Sequence, residues 1–229
     1  MIKACDMIRR EAESTATGHP WNVLDVGCGV GPLREWLPAS GFRIHGIELS
    51  EEAARIARGR YDSCHVGDIG DDWPQAAASM DAVHAGAILE HVIDWHTPLN
   101  HANRVLRDGG LLVVSVPNLR YWKEILRLVR GRLPLWMNLM SHLHAYTPQF
   151  LGNLLTIHGF QVLEIEADRL GIRWLPRQWR RPTRWFAGFG STIIVAARLA
   201  RRVRVEDQKE APHHPHHRPV GLRSIEVVG

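Results

Sequence analysis

Residues 23–32, VLDVGCGVGP, carry a hydrophobic run straight into three glycines and a proline. Glycine loses the most backbone entropy on folding, so Gly27, Gly29 and Gly31 mark a backbone that turns tightly and lets something approach closely. Pro32, suited to a first helical position, predicts a helix through PLREWLPAS. A buried strand that ends this way is the opening half of a β-α-β unit.

The rest of the chain repeats that alternation after a short polar, helical leader. FRIHGIEL (42–49) reads as a strand, Ser50 offers an N-cap, and Glu51 and Glu52 stand in the favourable first turn of EEAARIARGR. DSCHV (62–66) and MDAVHAG (80–86) read as strands, a helix runs through 98–107, and GLLVVSVP (110–117) is the most strongly β-branched strand. LRYWKEILRLVRG (119–131) has helical periodicity. Thr147-Pro148 starts another helix that Gly159 ends, and FQVLEIEA (160–167) and STIIVAAR (191–198) close the pattern. Strands separated by helices imply a mostly parallel sheet covered on both faces. At 229 residues the chain is one domain of ordinary size, expected over 1–204 and followed by a mobile tail at 205–229 that contains PHHPHHRP.

Three cysteines without a CxxC pair, no apolar leader and no apolar run long enough for a bilayer predict a reduced, cytoplasmic protein. Charge is distributed unevenly. Residues 168–204 hold ten arginines and one acid, a net +9 against +4 for the whole chain, which leaves −5 for the remainder. The core of that segment, 168–190, interleaves arginine with Trp174, Trp179, Trp185, Phe186 and Phe189. Three readings stay open for it: packing on the body, peripheral contact with an anionic membrane or a lipid-linked substrate through 169–190, and, least favoured, nucleic acid.

In an open parallel sheet, ligands bind beyond the carboxyl ends of the strands. Three successive strand ends carry suitable groups. The glycine loop ends the first, Glu48 ends the second and would suit a ribose diol, and Asp68 follows the third and would suit an exocyclic amine. Together they outline a nucleoside. The spacing G-x-G-x-G differs from the dinucleotide pattern G-x-G-x-x-G, and Asp25 beside the loop would repel a pyrophosphate while suiting an ammonium.

VLDVGCGVG, IHGIELS, GDI, MDAVHAGAILEHV and VLRDGGLLVVSVPN resemble the successive motifs of class I S-adenosylmethionine-dependent methyltransferases, in the small-molecule group whose fourth motif ends in LEHV. The resemblance implies an α/β, Rossmann-like three-layer sandwich with a seven-stranded, mostly parallel sheet whose last strand is antiparallel. It implies S-adenosylmethionine as cofactor, with Asp25 and Gly27 bordering the methionine moiety and Gly29 and Gly31 completing the loop. Glu48 would hold the ribose, Leu49 would lie on adenine, Asp68 and Ile69 would meet the adenine edge, and Ala85 would lie near the methionine amino group. The implied activity is methyl transfer to a small-molecule, sugar-like or lipid-linked acceptor, on oxygen. A non-catalytic, partner-activating protein of the same fold is the alternative.

An oxygen acceptor with a high pKa needs a base. His91, in LEHV, is the first candidate, and His142 and His144, in MSHLHAYT, are the next. None of these histidines has convincing ligand partners in the sequence, so no metal is expected. The stretch 119–146 is expected to lie over the acceptor pocket as a lid, with Trp122, Trp136 and Met137 as lining residues.

Overall fold

The computed structural model of the protein describes residues 1–15, 18–138, 142–168 and 189–203. The sheet grows outward from β1 (Trp21–Val26), which pairs in parallel with β2 (Phe42–Glu48) on one side and β4 (Met80–Gly86) on the other. β3 (Ser63–Val66) adds in parallel to β2, and β5 (Leu106–Pro117) adds in parallel to β4. β7 (Thr192–Leu199) then runs antiparallel between β5 and β6 (Phe160–Ala167), giving seven strands in the order β3-β2-β1-β4-β5-β7-β6. This is the expected sheet, last strand included. Its strand order reverses beside β1, which opens a crevice beyond the carboxyl ends of β1 and β4.

Helices cover both faces. α1 (Ile2–Thr15) and α2 (Glu51–Arg58) pack against Val23, Ile44 and Val113, while α3 (His96–Val105) and α5 (Pro148–Ile157) pack against Leu24, Val83 and Val114. Burial of the central strands from both sides is why they read as nearly continuous apolar runs. Capping follows the sequence at two places: the Ser50 hydroxyl accepts from Ala53 N–H, and the Thr147 hydroxyl from Phe150 N–H.

Two boundaries differ from expectation. PLREWLPAS forms only a 3₁₀ turn over Pro32–Glu35, closed by Trp36 and Leu37 N–H groups that both donate to Leu33 C=O. Pro38 carries no N–H, so the turn has no donor there to extend it. The helix expected over 98–107 ends at Val105, because Leu106 takes an extended conformation and pairs with Met80, starting β5 four residues early. The glycine pair 109–110 sits at the irregularity that follows.

The segment 119–146 leaves the sheet after β5 and returns to it. Leu119 N–H donates to Tyr146 C=O, and Asn118 and Tyr146 form an isolated bridge. Within it, α4 (Trp122–Val129) is the one regular helix among the described residues. The arginine-rich stretch 169–188 and the tail beyond 203 lie outside the described residues.

Candidate functional site

The glycine loop follows β1 and is pinned at its start, where the N–H groups of Gly27 and Cys28 both donate to Ile47 C=O. Gly27, Gly29 and Gly31 all have left-handed φ, at 68°, 54° and 78°. Their environments differ. A Cβ on Gly27 would stand 2.7 Å from Ile88 Cδ1, so glycine there serves close packing against the turn after β4. A Cβ on Gly29 would meet nothing within 4 Å. Gly29 therefore presents backbone to open space, the cradle a closely approaching ligand requires.

Asp25 acts on this loop from below. It is 3% exposed, and each carboxylate oxygen already has a donor: Tyr61 OH at 2.7 Å and His84 Nδ1 at 2.7 Å. Tyr61 OH in turn accepts from Leu33 N–H, so the acid, the phenol and the turn after the loop form one chain of hydrogen bonds. Burial, and then the Asp25 charge, hold the Tyr61 hydroxyl far above its usual range, so it stays a donor. Cys28 packs against Cys64 at 3.6 Å, and burial raises its thiol too.

Glu48 reaches the loop from above. Its Oε2 accepts Gly29 N–H at 2.8 Å and its Oε1 accepts Ser50 N–H at 2.9 Å, so the carboxylate holds the loop and opens α2 together. A carboxylate has further lone pairs beyond those two bonds. Leu49 stands beyond it, 68% exposed, an apolar platform at a strand end. Asp68 is exposed with Oδ1 accepting Gly70 N–H, and Ile69 beside it is buried. Ala85 is buried at the end of β4 and registers against Val26. Two residues on, Ala87 takes a left-handed φ of 54°, uncommon for a residue with a side chain, and its N–H donates to Ser115 C=O.

Past that turn stands a second group. Glu90 is 1% exposed, and its Oε2 has no hydrogen-bond partner among the described residues. Burial pushes its carboxyl above the ordinary 4.5. His91 and His142 meet ring edge to ring face, with centroids 4.6 Å apart. Burial, then the neighbouring His91, lower His142 below the ordinary 6.5, and its buried Nδ1 has no hydrogen-bond partner among the described residues. The Trp136 ring lies 5.8 Å from His142, and its Nε1 likewise has no partner among the described residues. The backbone ties the two halves together, since Leu143 N–H donates to Glu90 C=O at 2.7 Å and Tyr146 OH to Leu89 C=O at 2.9 Å. One ligand atom from each of Glu90, His91 and His142 falls within 4.8 Å of the others, a spacing that would also serve a divalent cation. The sequence pattern predicts no ligand partners for these histidines. His144 is not part of the group; it packs edge-on to Trp95 with centroids 4.2 Å apart.

Every residue expected at the site lies at or just beyond the carboxyl ends of β1 to β4 or in the segment that returns to them. Sequence reasoning missed Tyr61, His84 and Ala87, and it treated Glu90 only as a neighbour of His91. The motif LEHV held the signal for Glu90, an acid following a hydrophobic run. Nothing local marks Tyr61, which acts across 36 residues.

A methyltransferase-domain family matches residues 3–165. A ubiquinone biosynthesis O-methyltransferase of Aromatoleum aromaticum is 31% identical over 160 residues, covering 67% of this chain and 68% of that protein. The enzyme of the same name from Idiomarina loihiensis is 31% identical over 132 residues, and there the match spans about half of each, 53% and 53%. The structure of a methyltransferase of Thermotoga maritima superposes with a TM-score of 0.59 at 19% identity, covering 82% of this chain and 86% of that one, and so shares the fold. With the strand order, the glycine loop and a family match over most of its length, the chain belongs to the class I S-adenosylmethionine-dependent methyltransferases.

Proposed function

We propose that the protein methylates an oxygen of a small-molecule acceptor, and that Glu90, His91 and His142 bind that acceptor and take its proton. The observation carrying this reading is the convergence of unpartnered buried groups: Glu90 Oε2, His142 Nδ1 and Trp136 Nε1, beside a ring pair open to solvent through His91. Buried polar atoms without partners are uncommon and point to a ligand that supplies them. That relatives at about 30% identity carry the name O-methyltransferase favours oxygen as the methylated atom.

The residues present fit the cofactor. Gly29 leaves backbone and open space for the methionine portion, with Gly27, Gly31 and Ala85 shaping its walls. Glu48 has lone pairs left for the ribose hydroxyls, Leu49 offers a face to adenine, and Asp68 with the Ile69 backbone would meet the adenine edge. Asp25, whose oxygens are taken by Tyr61 and His84, would act on the methionine portion through the loop it fastens.

When bound, S-adenosylmethionine supplies an already activated methyl group on a sulfonium. The chain's own task is then to align, dry and deprotonate the acceptor. His142, kept neutral by burial, has the lone pair a base needs at pH 7. His91 stands against it as a second contact to the acceptor, and Glu90 is near enough to neutralise the charge that develops on His142. Trp136 would donate its indole N–H to the acceptor and cover it.

The test is S-adenosylhomocysteine release from S-adenosylmethionine and a panel of phenols, catechols, alcohols and amines. Turnover with hydroxyl acceptors is expected. Turnover with amines alone would overturn oxygen as the target, and binding of S-adenosylmethionine with no turnover on any class would favour the partner-activating alternative.

A further inference from the structure

α4 is built inside out. A helix beside a core normally turns apolar side chains inward and charges outward. In α4 the only buried side chain is an acid, Glu124, at 5% exposure. Its Oε2 accepts Leu135 N–H at 2.8 Å and lies 3.6 Å from Arg127, whose Nε–H donates to Leu133 C=O. Helix and following turn are thereby fastened into one unit through polar bonds. The apolar side chains face solvent: Ile125, Leu126 and Leu128, then Val129 at 79% and, after the turn, Leu133 and Leu135 at 57% and 62%.

The charges on this face have one sign. Between Asp108 and Glu164 the sequence contains a single acid, the buried Glu124. Arg120, Lys123, Arg130 and Arg132 are all exposed around the apolar patch. Lys123 Nζ lies over the rings of Tyr121 and Trp122, at 5.9 and 5.4 Å from their centroids, so its aliphatic stem and two aromatic rings form one amphipathic rim.

We propose that α4 and the turn after it form a docking surface for an anionic lipid interface. Aliphatic side chains of this length enter the boundary between headgroups and acyl chains, while surrounding arginine and lysine meet lipid phosphates. A second copy of the chain is disfavoured, since a two-fold contact would bring this cationic patch, with Lys123, Arg130 and Arg132, against the same patch of the other copy. Nucleic acid is disfavoured because the centre of the patch is Ile, Leu and Val, which offer bases nothing to stack on, while its two rings carry Lys123 over them. No described helix is long and apolar enough to cross a membrane, so the contact is peripheral. The same turn runs into Trp136, which lies against His142, so docking would set the acceptor side of the site at the lipid surface. That last consequence rests on the proposed methyl transfer; attachment itself does not.

Flotation of the full chain with vesicles tests it. At low salt the protein is expected to float with phosphatidylcholine vesicles containing phosphatidylglycerol, and to stay behind with phosphatidylcholine alone. Replacing Arg130 and Arg132 by Gln should weaken partitioning roughly thirtyfold, since each basic residue near such a surface contributes about 1 kcal/mol. Val129→Glu should also release it, and Val129→Ser, a change at a nearly free position, serves as a second, fold-neutral variant with a smaller loss. Retained S-adenosylmethionine affinity in each variant confirms folding independently of acceptor turnover. Equal flotation on both vesicle types, or unchanged flotation of all three variants, would overturn the proposal. A concentration-dependent dimer abolished by Val129→Glu would overturn it in favour of self-association.

Discussion

The proposed cofactor half of the crevice and the proposed acceptor half are held together by different means. Around the glycine loop, polar groups find partners within the protein: Asp25 with Tyr61 and His84, Glu48 with Gly29 and Ser50, Gly27 with Ile47. Around Glu90 and His142 the backbone is bonded, but Glu90 Oε2, His142 Nδ1 and Trp136 Nε1 have no hydrogen-bond partner among the described residues. A site for one invariant ligand can be rigid before the ligand arrives. A site whose polar ends wait for partners is shaped to a particular acceptor, and it carries stability costs until that acceptor binds.

The largest effect that would break this contrast is on turnover. His142→Ala is expected to lower kcat by about 10²- to 10⁴-fold, the span of a lost general base, while leaving S-adenosylmethionine affinity within about twofold. Because burial and His91 hold His142 below 6.5, the acid limb of the parent's rate profile should fall below pH 6.5, where His142 takes up its proton. It should be absent from His142→Ala. Titration calorimetry and a pH series of initial rates check both. A joint loss of binding and turnover would mean the two halves are not separable.

Next in size is the loop itself. Gly27→Ala combines a left-handed φ with a Cβ 2.7 Å from Ile88 Cδ1 and 2.8 Å from its Cγ1, so it is expected to lower stability by about 2–4 kcal/mol as well as abolish binding. Gly29→Ala carries the backbone strain alone, about 1 kcal/mol, yet should still block the cofactor, because the added methyl occupies the open side of the cradle. Denaturant melts beside S-adenosylmethionine titrations separate the pair. Equal stability losses would show that Gly29 is packed too.

These residues also show what local sequence can carry. The strands and the helices between them were legible because each depends on short-range rules: two-sided burial makes continuous apolar runs, and Ser50 and Thr147 cap the helices they precede. Boundaries failed where a neighbour decided them. Leu106 is extended because Met80 pairs with it, and Pro38 cuts short the turn that Pro32 opens. Tyr61 and His84 were invisible because they meet Asp25 across 36 and 59 residues. The outward apolar face of α4 was invisible for a related reason. Helical periodicity shows that a stripe exists, but only Glu124's bond to Leu135 shows which side of the helix faces in.

Glu48→Ala ranks third. It removes the acceptor of both the Gly29 and Ser50 N–H groups together with the proposed ribose contact, and should weaken S-adenosylmethionine by about 1–3 kcal/mol. Glu48→Gln keeps one acceptor oxygen and should lose about half as much. Unchanged affinity in Glu48→Ala would leave the ribose without an assigned partner.

The smallest effect sharpens the contrast from the acceptor side. Glu90 is buried with an unpartnered oxygen and a carboxyl raised above 4.5. A carboxyl whose folded pKa lies above its unfolded value leaves stability intact below about pH 4.5 and erodes it as pH rises toward the folded value, because the fold then holds a charge it does not compensate. Glu90→Gln, of the same shape and uncharged, should therefore match the parent below pH 4.5 and exceed it by about 1–2 kcal/mol at pH 8, while turning over more slowly. Denaturation midpoints across pH test the sign. Repeating the series with Zn²⁺ or Mn²⁺ decides what completes the group. If a cation binds Glu90, His91 and His142, the parent gains stability at pH 8 and the gap to Glu90→Gln closes or reverses; if the group only carries a proton, the gap stays. A Glu90→Gln protein less stable than the parent at pH 8 without added metal would mean that Glu90 is already compensated, and that the acceptor half is as self-contained as the cofactor half.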